Sequence, residues 1–343
     1  MQKLKILLRI LRNRLLSGDP ALKASPLHRL IFILNFFPPY NLACWLWVKA
    51  CARLWPGSAL ARSISWFLLQ RGFLFGGLRH LGPEDRDIFV RMVELPELRT
   101  SRPTASAAPR ISGLASELAE TGFVSLGSVI SRDGAEAAVN FFRQQEGYAS
   151  QTPLQSDGLL RPFDLGTSEA VPSERYFCFP SRTSLACPQV AEVVNNPILR
   201  DVAAAYLGFT PVLYSVNTIA TSKGGSDHYV MRTHRDYDAF ASVTFFVCWT
   251  AASADNGATM YIPRSHRSSD VSEADRRYLA GEAGQVFGLD AFGLHAGNRS
   301  VSGLRLATWI RFGSIPNLAT IQDPNLVPAA RPAPQSPLTT AVV

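Results

Sequence analysis

Five stretches decide the fold: PVLYSVNTIATS at 211–222, ASVTFFVCWTA at 241–251, ATMYIP at 258–263, GQVFGLDAFGLHAG at 284–297 and LRLATWIRFG at 304–313. Each is short, rich in β-branched and aromatic residues, and bounded by turn residues, which is the composition of strands in a meander. The chain before them reads differently. A helix is expected around Leu114–Ala119, a strand in GFVSLGSVI (122–130), and a second helix in AEAAVNFFRQQ (135–145). A third helix is expected through PQVAEVVNNPILRDVAAAYLG (188–208), ending on Gly208. Helices first and strands afterwards predict an α+β domain built on a double-sheet jelly roll, a double-stranded β-helix with flanking helices.

Within the strand region the chemistry gathers at three places. The first is Thr233-His234-Arg235-Asp236-Tyr237. Residues two apart on a strand share a face, so His234 and Asp236 offer a nitrogen and an oxygen to one metal ion. The second is His295, in Gly293-Leu294-His295-Ala296-Gly297. Two histidines and one carboxylate form the facial triad of a non-heme Fe(II) oxygenase, which leaves coordination positions open. The third is Arg305, ten residues after His295, whose guanidinium would grip a dicarboxylate co-substrate through two parallel hydrogen bonds. His228 and His266 are the rival ligands; His266 lies in a Pro-Arg-Ser-His-Arg turn that suits a structural hydrogen bond better. The His-Arg-Asp triplet also occurs in kinase catalytic loops, but no Gly-rich loop or Asp-Phe-Gly accompanies it.

Outward from these motifs, residues 115–313 resemble the phytanoyl-CoA dioxygenase (PhyH-like) family of Fe(II)/2-oxoglutarate-dependent oxygenases. The resemblance is carried by ETGFVSLGSVISRDGAEAAVNFF (120–142), NNPILRDVAAAYLGFTPVLYSVNT (195–218), THRDYDAF (233–240), FFVCWTAASADNGATMYIPRSHR (245–267) and HAGNRSVSGLRLA (295–307). It implies a cupin-like oxygenase core in which His234, Asp236 and His295 bind iron and Arg305 pairs with the distal carboxylate of 2-oxoglutarate. Trp249 would wall the co-substrate pocket, or serve as a plain core aromatic. Arg311, which shares the face of Arg305 on an alternating strand, and Arg299 are the fallback carboxylate partners. The implied reaction consumes 2-oxoglutarate and O2, releases succinate and CO2, and hydroxylates an unactivated C–H of a small-molecule or lipid-like substrate. Ascorbate would serve as reductant. A non-catalytic metal- or ligand-binding protein on the same scaffold is the alternative. Two departures from the family pattern stand out: Gly297 where a serine is common, and Arg264 where Pro-Gly-Ser/Thr-His is usual. Because Asp236 is present, the halogenase variant that gives up the carboxylate for chloride is disfavoured.

The N-terminal part carries a different signal. Residues 1–80 hold twelve Lys or Arg and a single acid, Asp19, whereas the rest of the chain is net acidic. A nucleic-acid binder would spread its charge over a binding face, so no nucleic acid is expected as a partner. Leu4, Leu7, Leu8, Leu11 and Leu15 form a helical stripe flanked by Lys5, Arg9 and Arg12, and LIFILNFFPPYNLACWLWV (30–48) runs 19 residues without a charge. Pro38-Pro39 interrupts that run, so a dipping or interfacial segment is expected rather than a span. Four of the six tryptophans, Trp45, Trp47, Trp55 and Trp66, lie in this region, which fits peripheral attachment to an anionic membrane surface. A helical subdomain packed on the core, or an organellar presequence, are the other readings.

Length and composition bound the rest. Of 343 residues 47% are hydrophobic and only 18% charged, which excludes a disordered chain. Five cysteines without a CxxC pair argue against a disulfide framework or structural zinc, and for a reducing, cytoplasmic compartment. The expected organisation is a helical basic region at 1–98, a linker at 99–113 (RTSRPTASAAPRISG), the dioxygenase domain at 114–315 and a Pro/Ala-rich tail at 316–343.

Overall fold

The computed structural model describes residues 38–55, 57–70, 82–86, 108–148, 160–163, 176–221, 232–236, 241–298 and 303–313. The expectations for the helical stripe at 1–16, for His228 and Arg299, and for the tail at 316–343 lie outside these residues.

Two helices come first, α1 (Pro38–Leu54) and α2 (Ala59–Gln70). The double proline expected to interrupt an apolar run stands at the start of α1, where a missing N–H costs no helical hydrogen bond. A helical turn at 83–86 follows. Helix α3 (Pro109–Thr121) begins inside the stretch read as linker, again with proline in its first turn, and stops at Gly122 in the left-handed conformation (φ 88°). Strand β1 (Phe123–Ser128) and helix α4 (Arg132–Phe142, capped by Ser131) follow. Three short strands, β2 (Glu146–Tyr148), β3 (Leu160–Pro162) and β4 (Tyr176–Phe179), were not expected from sequence.

Helix α5 (Ser181–Ala186) precedes a correction. The single helix expected over 188–208 is two, α6 (Pro188–Asn195) and α7 (Pro197–Leu207). Pro197 cannot donate into the preceding turn, and the Asn196 side chain instead accepts the Ile198 N–H and starts a new helix. The end at Gly208 (φ 77°) is as expected.

The remaining strands are β5 (Val212–Thr221), β6 (Ser242–Cys248), β7 (Thr259–Tyr261), β8 (Arg277–Leu279), β9 (Gln285–Leu289), β10 (His295–Ala296) and β11 (Arg305–Gly313). They form two antiparallel sheets, β1-β9-β6-β11-β5-β4-β2-β3 and β10-β7-β8. This is the α+β jelly roll expected from the strand pattern. GQVFGLDAFGLHAG is not one strand, however: the chain leaves the large sheet after Leu289 and joins the small one at His295.

Strand alternation gives the large sheet two different faces. The outer face carries Val243, Phe245 and Val247 of β6 with Leu306, Ile310 and Phe312 of β11, and packs on Leu118, Phe142, Val193, Leu199 and Val202 from the helices. The inner face carries Phe246 and Cys248 with Phe287 and Leu289, and meets Ala258, Tyr261 and Leu279 of the small sheet's side. The candidate site lies on the inner side.

Candidate metal centre

His234 and His295 are brought together by backbone pairing before any side chain acts. Residues 232–236 run antiparallel beside 291–295: His234 N donates to His295 O and His295 N to His234 O, both at 2.9 Å, and Asp236 N donates to Ala291 O at 2.8 Å. On its other edge β10 pairs with β7, His295 opposite Tyr261. The HxD segment thus extends the small sheet, and its two-residue period places His234 and Asp236 on the same side.

One ligand atom from each of His234, Asp236 and His295 lies within 4.8 Å of the other two. His234 Nε2 is 3.5 Å from Asp236 Oδ1, and His295 Nε2 is 3.7 Å from Asp236 Oδ2. The other ring nitrogens are already committed. His234 Nδ1 donates to Arg232 O at 2.8 Å and His295 Nδ1 to Gly293 O at 2.9 Å. A carbonyl only accepts, so each neutral ring keeps its proton on Nδ1 and turns a lone pair on Nε2 toward the carboxylate. Burial alone would raise the Asp236 carboxyl. Protonated His234 and His295 rings, which then donate from Nε2, and the charge of Arg311 outweigh it and hold the group well below the usual carboxylate range; the neutral rings present their lone pairs instead. Two Nε2 lone pairs and one ionised carboxylate, converging from one side, are the donor set a divalent iron takes. His295 is buried, while His234 and Asp236 keep partial exposure, which leaves the opposite side of the cluster accessible.

Arg235, between the two ligands, points the other way. Its Nη1 donates to Phe292 O at 2.6 Å and also to Ser265 O, pinning the HxD segment to the loop that leads into His295. Ser265 Oγ accepts the Leu294 N–H at 2.7 Å and donates to Ile262 O. Behind that loop Asp290 is buried and receives Tyr206 Oη at 2.7 Å, Phe292 N at 2.9 Å and Arg86 Nη1 at 3.3 Å. Desolvation pushes the Asp290 carboxyl up, yet Arg86, His266 and the hydrogen bonds hold it below its usual value. The Arg86 guanidinium also covers the Phe292 ring at 4.1 Å, and that of Arg235 lies 5.2 Å from the same ring. Arg86 belongs to the stretch assigned from sequence to the N-terminal region. With Glu84, whose carboxylate accepts Ser269 N at 2.9 Å, it docks that stretch onto the jelly roll.

The other residues named from sequence separate by face. The β11 register places Arg305, Trp309 and Arg311 on the inner side with Ser215, Asn217 and Thr221 of β5 and Thr244 and Cys248 of β6. Arg305 is buried and its Nη2 donates to Thr259 Oγ1 at 3.1 Å. Its stem lies on Gly257, where a Cβ would sit 2.7 Å from Arg305 Cδ. Arg311 Nη1 donates to Ser215 Oγ at 3.4 Å and Asn217 Oδ1 at 3.3 Å, and its charge reaches Asp236. Trp249 is placed elsewhere. It follows Phe245 and Val247 onto the outer face, is 1% exposed within the helix-packed core, and donates from Nε1 to Thr308 Oγ1 at 2.7 Å. Of its two readings the structure gives it the plain core aromatic. His266 takes the structural place expected of it, buried with Nε2 donating to Ala119 O at 3.2 Å.

Sequence reasoning passed over Thr259, Arg235, Asp290, Tyr206 and Arg86. A signal existed for Thr259, which shares strand parity with Tyr261 in ATMYIP. Strand parity also turns Arg235 away from its neighbours. Arg264, noted where a glycine is usual, adopts φ 65°, the one positive-φ non-glycine among the described residues. The left-handed turn there explains why glycine suits the position.

The sequence model of the family described as Phytanoyl-CoA dioxygenase (PhyH) matches residues 170–293, a span that holds His234 and Asp236 and ends just before His295. The chain thus carries a PhyH segment, in agreement with the resemblance in its motifs. No curated protein matches the sequence. Similar solved structures include the non-heme alpha ketoglutarate dependent epimerase SnoN from nogalamycin biosynthesis, 14% identical over 59% of this chain and 81% of that one, with a TM-score of 0.41. AviO1 from Streptomyces viridochromogenes is 17% identical over 61% and 97% of the two chains, TM-score 0.42. HygX from Streptomyces hygroscopicus, solved with nickel and 2-oxoglutarate, is 15% identical over 61% and 87%, TM-score 0.41.

Proposed function

We propose that this PhyH-segment protein is an Fe(II)- and 2-oxoglutarate-dependent oxygenase that hydroxylates an unactivated C–H of a small-molecule or lipid-like substrate. One observation carries the reading: His234 Nε2, the Asp236 carboxylate and His295 Nε2 converge while both Nδ1 protons are spent on backbone carbonyls. His234, Asp236 and His295 would hold the iron, whose bound form supplies the oxidising chemistry. The protein's own share is orientation. The carbonyls of Arg232 and Gly293 fix the tautomer and tilt of each imidazole, and Arg235 fixes the distance between the two ligand-bearing strands.

Arg305 is the proposed partner of the distal 2-oxoglutarate carboxylate. It lies on the inner face and donates to Thr259 Oγ1, a hydroxyl that would offer the co-substrate a second contact where Gly297 provides none. The Gly257 Cα leaves the space its stem needs. Arg311, Ser215 and Asn217 form the polar floor nearer Asp236 and would meet the polar part of the substrate or co-substrate.

The test is O2- and Fe(II)-dependent succinate formation from 2-oxoglutarate. Wild-type protein is expected to turn over slowly without substrate, His234→Ala not at all, and Arg305→Ala only at raised 2-oxoglutarate. Succinate formed equally by wild type and His234→Ala would overturn the proposal.

A further inference from the structure

The hairpin of α1 and α2 is packed inside out. Between its helices lie small or weakly polar side chains: Cys44, Cys51, Ala61 and Ser65 are buried, with Val48 as the largest apolar member. Ser65 Oγ donates to Cys51 Sγ at 3.7 Å and accepts from Trp47 Nε1 at 3.1 Å. Trp45, Trp47 and Leu68 are half-buried, but the other leucine and isoleucine side chains among the hairpin's described residues, and Phe67, are exposed. Leu42 and Leu46, one turn apart on α1, are 55% and 53% exposed; Leu60, Ile64 and Phe67, at i, i+4 and i+7 on α2, are 71%, 38% and 54% exposed. Leu54 and Trp55 at the connection are exposed as well, and among the described residues the only other exposed large hydrophobic is Tyr278.

A water-soluble amphipathic hairpin turns such stripes inward. Small residues at the helix contact and large apolar ones outside is the arrangement of helices packed in lipid, where close approach rather than hydrophobicity joins them. Neither helix, at 17 and 12 residues, reaches the roughly 20 needed to cross a bilayer. No helix among the described residues is long and apolar enough to do so. Charge selects the kind of surface, since residues 1–80 carry twelve basic groups against Asp19 alone. The hairpin is also fixed to the rest of the chain. Asp85 is buried and holds Arg53 at 2.6 Å and Lys49 at 3.3 Å, and its neighbours Glu84 and Arg86 hold Ser269 and Asp290 of the jelly roll.

We propose that the α1–α2 hairpin is a monotopic anchor that embeds its Leu/Ile/Phe stripes in the surface of an anionic bilayer and holds the jelly roll there. The anchor is independent of the chemistry at His234.

Flotation of the full chain with phosphatidylcholine vesicles, with and without phosphatidylglycerol, tests it. Wild-type protein is expected to float with the anionic vesicles and much less with the neutral ones. Leu46→Glu/Phe67→Glu should reduce flotation at least about tenfold, the milder Leu42→Gln/Leu60→Gln pair should reduce it in part, and Tyr278→Glu should leave it unchanged. Melting temperature identifies any variant that fails to fold, and the neutral pair then decides. Wild-type protein that stays with the unbound fraction, or glutamate variants that float as well as wild type, would overturn the proposal. So would a patch that instead forms dimers, seen as concentration-dependent sedimentation lost in the same variants without any flotation.

Discussion

Replacing Arg86 with alanine is expected to destabilise the jelly roll far more than a change at a residue so distant in sequence would suggest. The Asp290 side chain is 4% exposed and Arg86 14% exposed. Removing one partner of a buried ion pair typically costs about 3–5 kcal/mol, because the other charge is left buried. Asp290 keeps Tyr206 Oη and Phe292 N, and the Arg86 contact is the longest of the three, so the cost falls at or just below the bottom of that range, about 2–3 kcal/mol. Loss of the guanidinium over Phe292 adds about 0.5–1 kcal/mol. The total is about 3 kcal/mol, read as a shift in urea midpoint at unchanged slope. Acid supplies a second signature. The folded Asp290 carboxyl titrates below its unfolded value, so its stabilisation is present above about pH 4 and is lost as pH falls through the folded value. Without Arg86 the folded value rises, and the gap between variant and wild type should therefore narrow as the medium is acidified below about pH 4. A loss under about 1 kcal/mol near neutral pH, or a gap that does not narrow in acid, would refute the reasoning.

Three further outcomes follow from particular contacts. Arg264→Gly should stabilise the protein by about 0.5–1 kcal/mol in urea unfolding, since a left-handed φ of 65° strains any side chain. Gly122→Ala should cost about 2 kcal/mol or more, because φ is 88° and the new Cβ would meet His266 Nδ1 at 2.6 Å and collide with the Tyr261 hydroxyl. Trp249→Phe should lower stability by about 1–2 kcal/mol, as Thr308 Oγ1 loses the indole N–H and keeps only the Thr218 hydroxyl, yet leave the 2-oxoglutarate dissociation constant unchanged. Thr259→Val should weaken 2-oxoglutarate several-fold and also lower stability by about 1–3 kcal/mol, because the buried Arg305 Nη2 loses an acceptor; thermal shift against co-substrate concentration separates it from Trp249→Phe by the changed dissociation constant.

The strands were legible because β-branched and aromatic residues in them alternate between two buried faces. What alternation alone leaves open is which face looks inward. Trp249 shares parity with Phe245 and Val247, and only the helices packed behind the sheet decide that this parity is the outer one. The pairing of His234 with His295 was within reach of the motifs, since a histidine far along the chain must lie beside the HxD strand to share a metal. The break between α6 and α7 was written in Asn196-Pro197 but was masked by continuous apolar periodicity on both sides. Strands β2 to β4 are three or four residues long, too short for a period to register. Arg86 had no local signal at all, because its role depends on Asp290 lying 204 residues away in sequence.

The docking of residues 82–86 also bears on how the protein can be divided. A chain beginning at Gly113 would lack Arg86 and the first turn of α3, so Asp290 would be left without its cation. Lipid binding is therefore better tested with substitutions in the full chain than with that truncation.

The central claim is tested most directly by titrating the anaerobic protein with Fe(II) in the presence of 2-oxoglutarate. The account predicts one Fe(II) per chain, with co-substrate binding dependent on the metal, and loss of both in His234→Ala and His295→Ala proteins that melt like the wild type. Fe(II) bound equally well without His234 or His295, or no Fe(II) bound by the wild type, would contradict it.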